Sequence, residues 1–367
     1  MTALLGRIWE LLTRRIDPML FTAAMAIVGV GLVTLFSAAD QSIARETSQA
    51  LSLSFAIVLM WMFANIAPQA LARIAVPLYI VAVAMLVGVA MFGVVVNGSR
   101  RWLNLGIARF QPSELMKIAL PLMLAWYFQK FEGRVRFFDF LFAAILIVVP
   151  VYLIKRQPDL GTSLLIAASG FYVLFLAGLS WKIIVGLFAL GAAVGPMVWG
   201  HLHDYQRERI LTFLDPSRDP LGAGYHSTQA SIALGSGGIV GKGWLNGTQT
   251  HLDFLPERHT DFIFAVFGEE FGLIGAAVLL VLYLLLIARA MVITANASTL
   301  FARLLSGAIT LMFFTYAFVN MAMVSGLLPV VGVPLPLVSY GGTALISLFI
   351  GLGILMSVQA NRKLVMT

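Results

Sequence analysis

Cysteine is absent from all 367 residues, which removes disulfide frameworks and thiolate metal sites together. Charge is nearly as scarce. Asp, Glu, Lys and Arg make up 11% of the chain, where a soluble domain carries about 25%. So few charges cannot cover a water-facing surface of this size. A Gly-x-Ser-x-Gly elbow, a His-Glu-x-x-His pair and a nucleotide P-loop are also missing. The histidines (His201, His203, His226, His251 and His259) are confined to one stretch and scattered within it, so a histidine-only metal site is not expected.

What the chain has in abundance is apolar sequence, 60% of its residues. A bilayer-spanning helix needs about 20 of them in succession. Apolar segments fall at 18–38, 49–66, 75–95, 113–128, 138–154, 160–178, 182–200, 262–288, 302–325 and 340–360, with the sixth and seventh divided at Gly178–Trp181. Arg14 and Arg15 precede the first, but the run from Met19 to Ala39 exceeds the roughly 7–15 residues of a signal-peptide core, so it reads as an uncleaved span. The expected fold is an all-α integral membrane protein. It is a ten-transmembrane-helix bundle in one polytopic domain over 1–367, with a large extracytoplasmic loop at 201–260 between helices 7 and 8. A re-entrant-like loop is expected between helices 9 and 10.

An even number of spans puts both termini on one side. With cytoplasmic termini, that side's loops hold about twelve Lys and Arg and the opposite short loops about six, the bias expected of cytoplasmic loops. The long 201–260 stretch is largely exempt from this rule. The positive charges that break the bias lie outside: Arg100, Arg101, Lys155 and Arg156. With Arg207, Arg209, Arg218, Lys242 and Arg258 they would make a basic outer face. Such a face could grip an anionic headgroup such as a pyrophosphate. It could equally snorkel to phospholipid and pair with Asp159, Asp204 and Asp219.

Acids at membrane depth are functional candidates by default. Glu114 opens the fourth span, and Lys117 follows three residues later on the same helix face. The pair is either functional or a structural ion pair at the membrane edge. Asp261 stands at the outer end of the eighth span, half in water and half in hydrocarbon, where desolvation and neighbouring charge tune a general base. A plain helix-start acid complementing the dipole is the alternative. Glu269 and Glu270, deeper in that span, read more simply as hydrogen-bonding residues of the bundle. The glycines of Gly235–Gly238 and Gly241-Lys242-Gly243 suggest tight turns whose N–H groups could meet anions. Residues 325–343 are apolar yet full of helix breakers. Irregular backbone of this kind survives at membrane depth only when buried in protein or lining a cavity.

These residues also form motifs. They are Asn97-Gly-Ser-Arg-Arg-Trp102 with Gln111-Pro-Ser-Glu114-Leu-Met-Lys117, then Gln157-Pro-Asp159-Leu-Gly161-Thr162 with Phe254 to Asp261-Phe262. The last runs from Asn320 through Gly326, Pro329 and Gly332 to Ser339-Tyr-Gly-Gly-Thr343. With them the chain resembles, over nearly its whole length, the SEDS family (shape, elongation, division and sporulation), and the Pro-Glu-Arg-His form before Thr260-Asp261 is similar to its elongation branch.

The resemblance implies a peptidoglycan glycosyltransferase of the bacterial cytoplasmic (inner) membrane, with its active site facing the periplasm. It would polymerise lipid II with a class B penicillin-binding protein as transpeptidase partner, and no nucleic acid is expected. The family's essential acid falls on Asp261, and its Trp, Glu and Lys positions fall on Trp102, Glu114 and Lys117. In that reaction Asp261 is the expected base. Arg100, Arg101, Arg209 and Lys117 are candidates for the departing pyrophosphate of the undecaprenyl-linked donor. Lys155, Arg258 and Ser339 are further substrate-binding candidates. Lys117 with Glu114 could instead position Asp261. A divalent cation (Mg or Mn) could share the work, though no dedicated metal cage is visible. Two other readings fit the spans. A lipid II flippase would also carry buried charges and a broken helix, but no repeat halves are visible and the acid sits at the outer edge. A non-catalytic scaffold of cell-wall enzymes leaves the outward cluster of acid and base unexplained.

Overall fold

The computed structural model describes residues 13–96, 99–104, 109–200, 207–208, 211–213, 215, 223–251, 255 and 257–362. It is mostly helical. Helices α1 (Pro18–Ala38), α2 (Ile43–Asn65) and α3 (Pro68–Phe92) come first. A small sheet follows, of β1 (Val94–Val96), β2 (Ser99–Asn104) and β3 (Arg109–Phe110). Then come α4 (Pro112–Lys130), α5 (Phe137–Lys155), α6 (Leu160–Leu176) and α7 (Trp181–Trp199), the short α8 (Ala223–Ser236) and α9 (Thr248–His251), and finally α10 (Ile263–Ala295), α11 (Leu300–Val324) and α12 (Gly342–Ala360). By length and composition α1, α2, α3, α5, α10, α11 and α12 can cross a membrane, while α6 and the Trp181–Gly195 part of α7 are shorter apolar helices.

Local chemistry sets the helix ends. Proline occupies the first position of α1, α3 and α4, where its missing N–H breaks no bond. Asp17 caps α1 by accepting from the Leu20 N–H at 2.9 Å. Asp159 caps α6 through Thr162, and Thr299 caps α11 through Ala302. The expected break between the sixth and seventh apolar segments is present. Gly178, at φ 99°, closes α6, and the Leu179 N–H reaches back to Leu174 O at 3.1 Å.

Two expectations about secondary structure need correction. The second helix begins at Ile43 rather than near 49, because its polar first turns, with Arg45 and Glu46, are invisible to hydropathy. The chain is also not purely helical: β1, β2 and β3 pair antiparallel in that order, with Trp102 opposite Val94 and Leu103 opposite Phe110. The Val94–Val96 run carries β-branched side chains that suit a strand, but it lies directly after an apolar helix and reads as its continuation.

In the bundle, α12 lies along α2, α10 along α1, α3 along α4, and α11 against α4, α6 and α10. The most enclosed is α4, buried at nearly every position from Pro112 to Ala125. A helix surrounded by protein can carry Glu114 and Lys117, and this lowers its apolarity below that of the helices facing outward. At the foot of the bundle Arg289 of α10 clasps Asp17 with two nitrogens, at 3.0 and 2.5 Å, joining α10 to the cap of α1.

The upper part of α10 is broken at Gly272 (φ 64°, ψ −163°), and the break is filled from outside. The N–H groups of Leu273 and Ile274 would have bonded the carbonyls of Glu269 and Glu270 in an unbroken helix. They bond Gly238 O and Ile239 O instead, at 2.9 and 3.1 Å, while the two abandoned carbonyls accept from Lys242 N and Gly243 N, both at 3.0 Å. The expectation that these glycine-rich N–H groups are free for anions is therefore corrected. The clasp is too close for side chains: a Cβ on Gly241 would lie 2.1 Å from Glu270 O.

Glu269, fully buried, fastens the same region. It accepts from Lys242 Nζ (2.7 Å), Gln249 N (2.9 Å), Thr248 Oγ1 (3.2 Å) and both the N–H and the hydroxyl of Thr250 (3.2 and 3.0 Å). Its role as a bundle hydrogen-bonding residue is visible here. We expect Glu269→Ala to destabilise the fold by about 3 kcal/mol, since it leaves the half-buried Lys242 ammonium, the buried Thr250 hydroxyl and two backbone donors without their acceptor. Limited proteolysis should then cut residues 242–251 faster than in the parent chain, and equal cutting would show that Glu269 does not hold them.

Candidate active site

The site forms where the turn before α10 meets the irregular segment between α11 and α12. In the turn, Glu257 takes a positive φ of 50°. Its carbonyl accepts from Thr260 N at 3.1 Å and Phe262 N at 3.3 Å, and its carboxylate from the Thr260 hydroxyl at 2.9 Å. The irregular segment is buried at Val333, Leu335, Leu337, Val338 and Ser339. Side chains stitch it to its surroundings. Ser339 Oγ accepts from Leu335 N and donates to Thr260 O, both at 2.7 Å. Tyr340 N donates to His259 O at 2.9 Å, and Tyr283 of α10 donates to Pro336 O at 2.5 Å. Asn320 of α11 donates to both Asp261 O and Val333 O, each at 2.7 Å.

Asp261 is thereby held half-buried at the junction. Its Oδ2 faces Gly332, where an added Cβ would come within 3.4 Å of the oxygen. Burial pushes the Asp261 carboxyl up from the usual 3.8 to about 6, and Glu257 and Asp159 add to this while Arg101 opposes it. Beside it, burial and the positive charge of Arg45 hold His259 below the ordinary imidazole range. Arg101 reaches from β2 to Asp159, with Nη1 3.4 Å from Oδ2, and donates to Pro158 O at 2.5 Å. Gln111 also donates to Asp159, at 3.4 Å.

Below this lies the buried pair. Lys117 Nζ is 2.6 Å from Glu114 Oε1, and Ser347 of α12 donates to Glu114 Oε2 at 2.7 Å. The ammonium also stands 4.9 Å from the centre of the Tyr316 ring. A narrow cavity touches Lys117, Tyr316, Pro336, Ser339 and Tyr340. Ser339 thus borders the cavity of Lys117 and bonds the turn of Asp261 at once.

The structure gathers Asp261, Arg101, Ser339, Lys117 and Glu114 around one junction. The other candidates are dispersed. Trp102 is half-buried in β2, and Arg100 is exposed and donates to Ala90 O at 3.4 Å. Lys155 is exposed at the end of α5. Arg258 is buried and engaged with Asp40 and with Thr250 O. Arg209 lies outside the described residues. Asn320, Ser347 and Tyr316 were given no role from the sequence. Asn320 had a signal available, as a lone amide in an apolar span.

A carboxyl that binds its proton more tightly in the folded than in the unfolded chain makes stability fall as pH rises through the interval between its two pKa values. For Asp261 that interval runs from 3.8 to about 6. Asp261→Asn should therefore raise the melting temperature at about pH 7.5, and the gain should vanish near pH 4. Thermal scans in detergent at both pH values check this, and a gain independent of pH would contradict it.

A membrane bundle with a half-buried acid, a guanidinium and a buried Lys–Glu pair about one junction defines a class, and comparison with known proteins specifies it. The profile of the cell cycle protein family FtsW/RodA/SpoVE matches residues 17–364, and the chain belongs to this SEDS family. The peptidoglycan glycosyltransferase MrdB of Escherichia coli K12 is 50% identical over 350 residues, 95% of each chain. A probable peptidoglycan glycosyltransferase FtsW of Trichlorobacter lovleyi is 36% identical, covering 95% of this chain and 94% of its own. Among solved structures, the rod shape determining protein RodA of Thermus thermophilus superposes with a TM-score of 0.71 at 32% identity, over 95% of this chain and 97% of that one. A chain from a study described as "Structural coordination of polymerization and crosslinking by a peptidoglycan synthase complex" superposes with a TM-score of 0.84 at 36% identity, over 95% of this chain and 99% of that one.

Proposed function

We propose that this chain is a peptidoglycan glycosyltransferase that polymerises lipid II at the outer face of the cytoplasmic membrane, in the elongation branch of its family, with a class B penicillin-binding protein as transpeptidase partner. The observation that carries the reading is Asp261. It is a carboxylate held at the junction of two irregular segments, with a pKa brought to about 6, close to the value a general base needs near neutral pH. The acceptor's 4-hydroxyl attacks the anomeric carbon of the donor. Asp261 takes the hydroxyl proton as the new C–O bond forms. The bond from the anomeric carbon to the pyrophosphate breaks with its electron pair on the leaving oxygen, so the α-linked donor gives a β-1,4 link.

Arg101, half-exposed beside the acid, is the first candidate to receive the pyrophosphate, followed by the exposed Arg100 and Lys155, with Arg209 a further candidate from the sequence. Trp102 and Ser339 shape the sugar side. Arg258, engaged with Asp40 and Thr250, serves the turn's conformation. Lys117 and Glu114 fix the floor of the cavity. Among the described residues no three of His, Asp and Glu converge as in an all-protein cage. A Mg or Mn ion would supply Lewis acidity to the departing pyrophosphate, and Asp159, whose charge is felt at Asp261, would be the residue to hold it in place of its present partners Arg101 and Gln111.

We take α4, α6 and α7 as spans beside the other seven. This makes ten, with both termini cytoplasmic, residues 201–260 periplasmic and the 325–341 segment re-entrant from that side.

The test is polymerisation of purified lipid II in detergent micelles, in complex with the partner carrying an inactivated transpeptidase site. Product from the parent chain and none from Asp261→Asn supports the enzyme and its base. Product from both removes the base assignment. Product from neither, with the complex intact, favours a lipid II flippase or a scaffold. With Asp261 as base, kcat/KM should also rise with pH through a midpoint near 6, and a midpoint near the ordinary carboxylate value would contradict the role of its burial.

A further inference from the structure

Resting on the reading of Asp261 as the base, we propose that Asn320 is a positioning residue, whose side-chain amide holds the backbone of Asp261 and the facing wall of the 325–341 segment in one fixed relation. Asn320 is fully buried on α11, a continuous helix and so a rigid support. An amide NH2 has two hydrogens, and both are used, on Asp261 O and on Val333 O, each at 2.7 Å. The acceptors are carbonyl oxygens, so the orientation of the amide is determined by its partners. The amide oxygen Oδ1 is buried and accepts no hydrogen bond, so the side chain is seated by its two donors alone.

The two carbonyls belong to the two segments that meet at the acid. One belongs to Asp261 itself. The other belongs to the residue after Gly332, whose Cα faces the Asp261 carboxylate. The remaining ties between these segments, from Ser339 to Thr260 O and from Tyr340 N to His259 O, hold the residues before Asp261. Asn320 thus ties the backbone of the acid to the residue that follows the glycine facing its carboxylate. A displacement of about 1 Å at a reacting group costs on the order of 100-fold in rate, which sets the scale of the effect.

The test uses the full chain with its partner, and measures kcat and KM for lipid II polymerisation together with monodispersity and partner co-purification. In Asn320→Ala we expect kcat to fall about 100-fold with KM near the parent value and the complex intact. Asp261→Asn/Asn320→Ala should be no slower than Asp261→Asn alone, because both act through one group. If Asn320→Ala does not fold, Asn320→Gln, which keeps the donors on a longer arm, is assayed in its place, and a folded enzyme with lowered kcat is expected. Parent-level kcat in a folded variant, a loss confined to KM, or failure of both variants to fold overturns the proposal, the last by making Asn320 purely structural. Parent-level polymerisation by Asp261→Asn instead removes the base assignment beneath it. Parent-level kcat in Asn320→Ala beside an inactive Asp261→Asn removes the positioning role alone.

Discussion

Backbone that leaves a helix inside a membrane protein must find new hydrogen-bond partners, and this constraint organises the upper half of the molecule. Between α11 and α12 the chain is irregular yet buried, and its peptide groups are answered by side chains from elements all around it: Gln49 of α2, Tyr283 of α10, Asn320 of α11 and its own Ser339. Meeting that requirement is also what builds the site. Two of these side chains, Asn320 and Ser339, also hold the turn of Asp261 against the segment.

Charge is treated with the same economy. Several buried charged side chains are found with oppositely charged partners already in place: Lys117 with Glu114, Glu269 with Lys242, Arg258 with Asp40, Asp17 with Arg289. A buried pair contributes little net stability but punishes the loss of either member, so these pairs fix geometry more than they add to the fold. Asp261 differs. Its surroundings raise its proton affinity instead of lowering it.

Much of this could be read in the sequence, and the reasons are specific. Helix positions followed from apolar runs and from Pro and Asp at helix starts, so α1, α5 and α12 fall within a few residues of their expected limits. Asp261, Glu114 and Lys117 stood out because charge at membrane depth is rare. The small sheet stayed hidden because three valines after an apolar helix prolong its pattern. Of the residues expected on a basic outer face, Arg258 is engaged by Asp40 and Thr250 and Lys242 by Glu269, because composition cannot distinguish a cation facing a ligand from one facing the protein. Nor could spacing show that the glycines before α10 serve the protein's own carbonyls. Pairings between residues far apart in the chain leave no local trace.

The clasp at Gly272 has a consequence for the order of assembly. Below the break, α10 continues as a long helix that needs nothing from elsewhere to propagate, since each added residue closes a bond within the same strand of chain. The carbonyls of Glu269 and Glu270, just above the break, accept from Lys242 and Gly243, residues made earlier and belonging to a different segment. The upper piece, which leads directly back to Asp261, therefore completes its hydrogen bonds only after residues 237–243 have come to rest on it. The setting of the acid therefore depends on residues 237–243 as well as on its own helix.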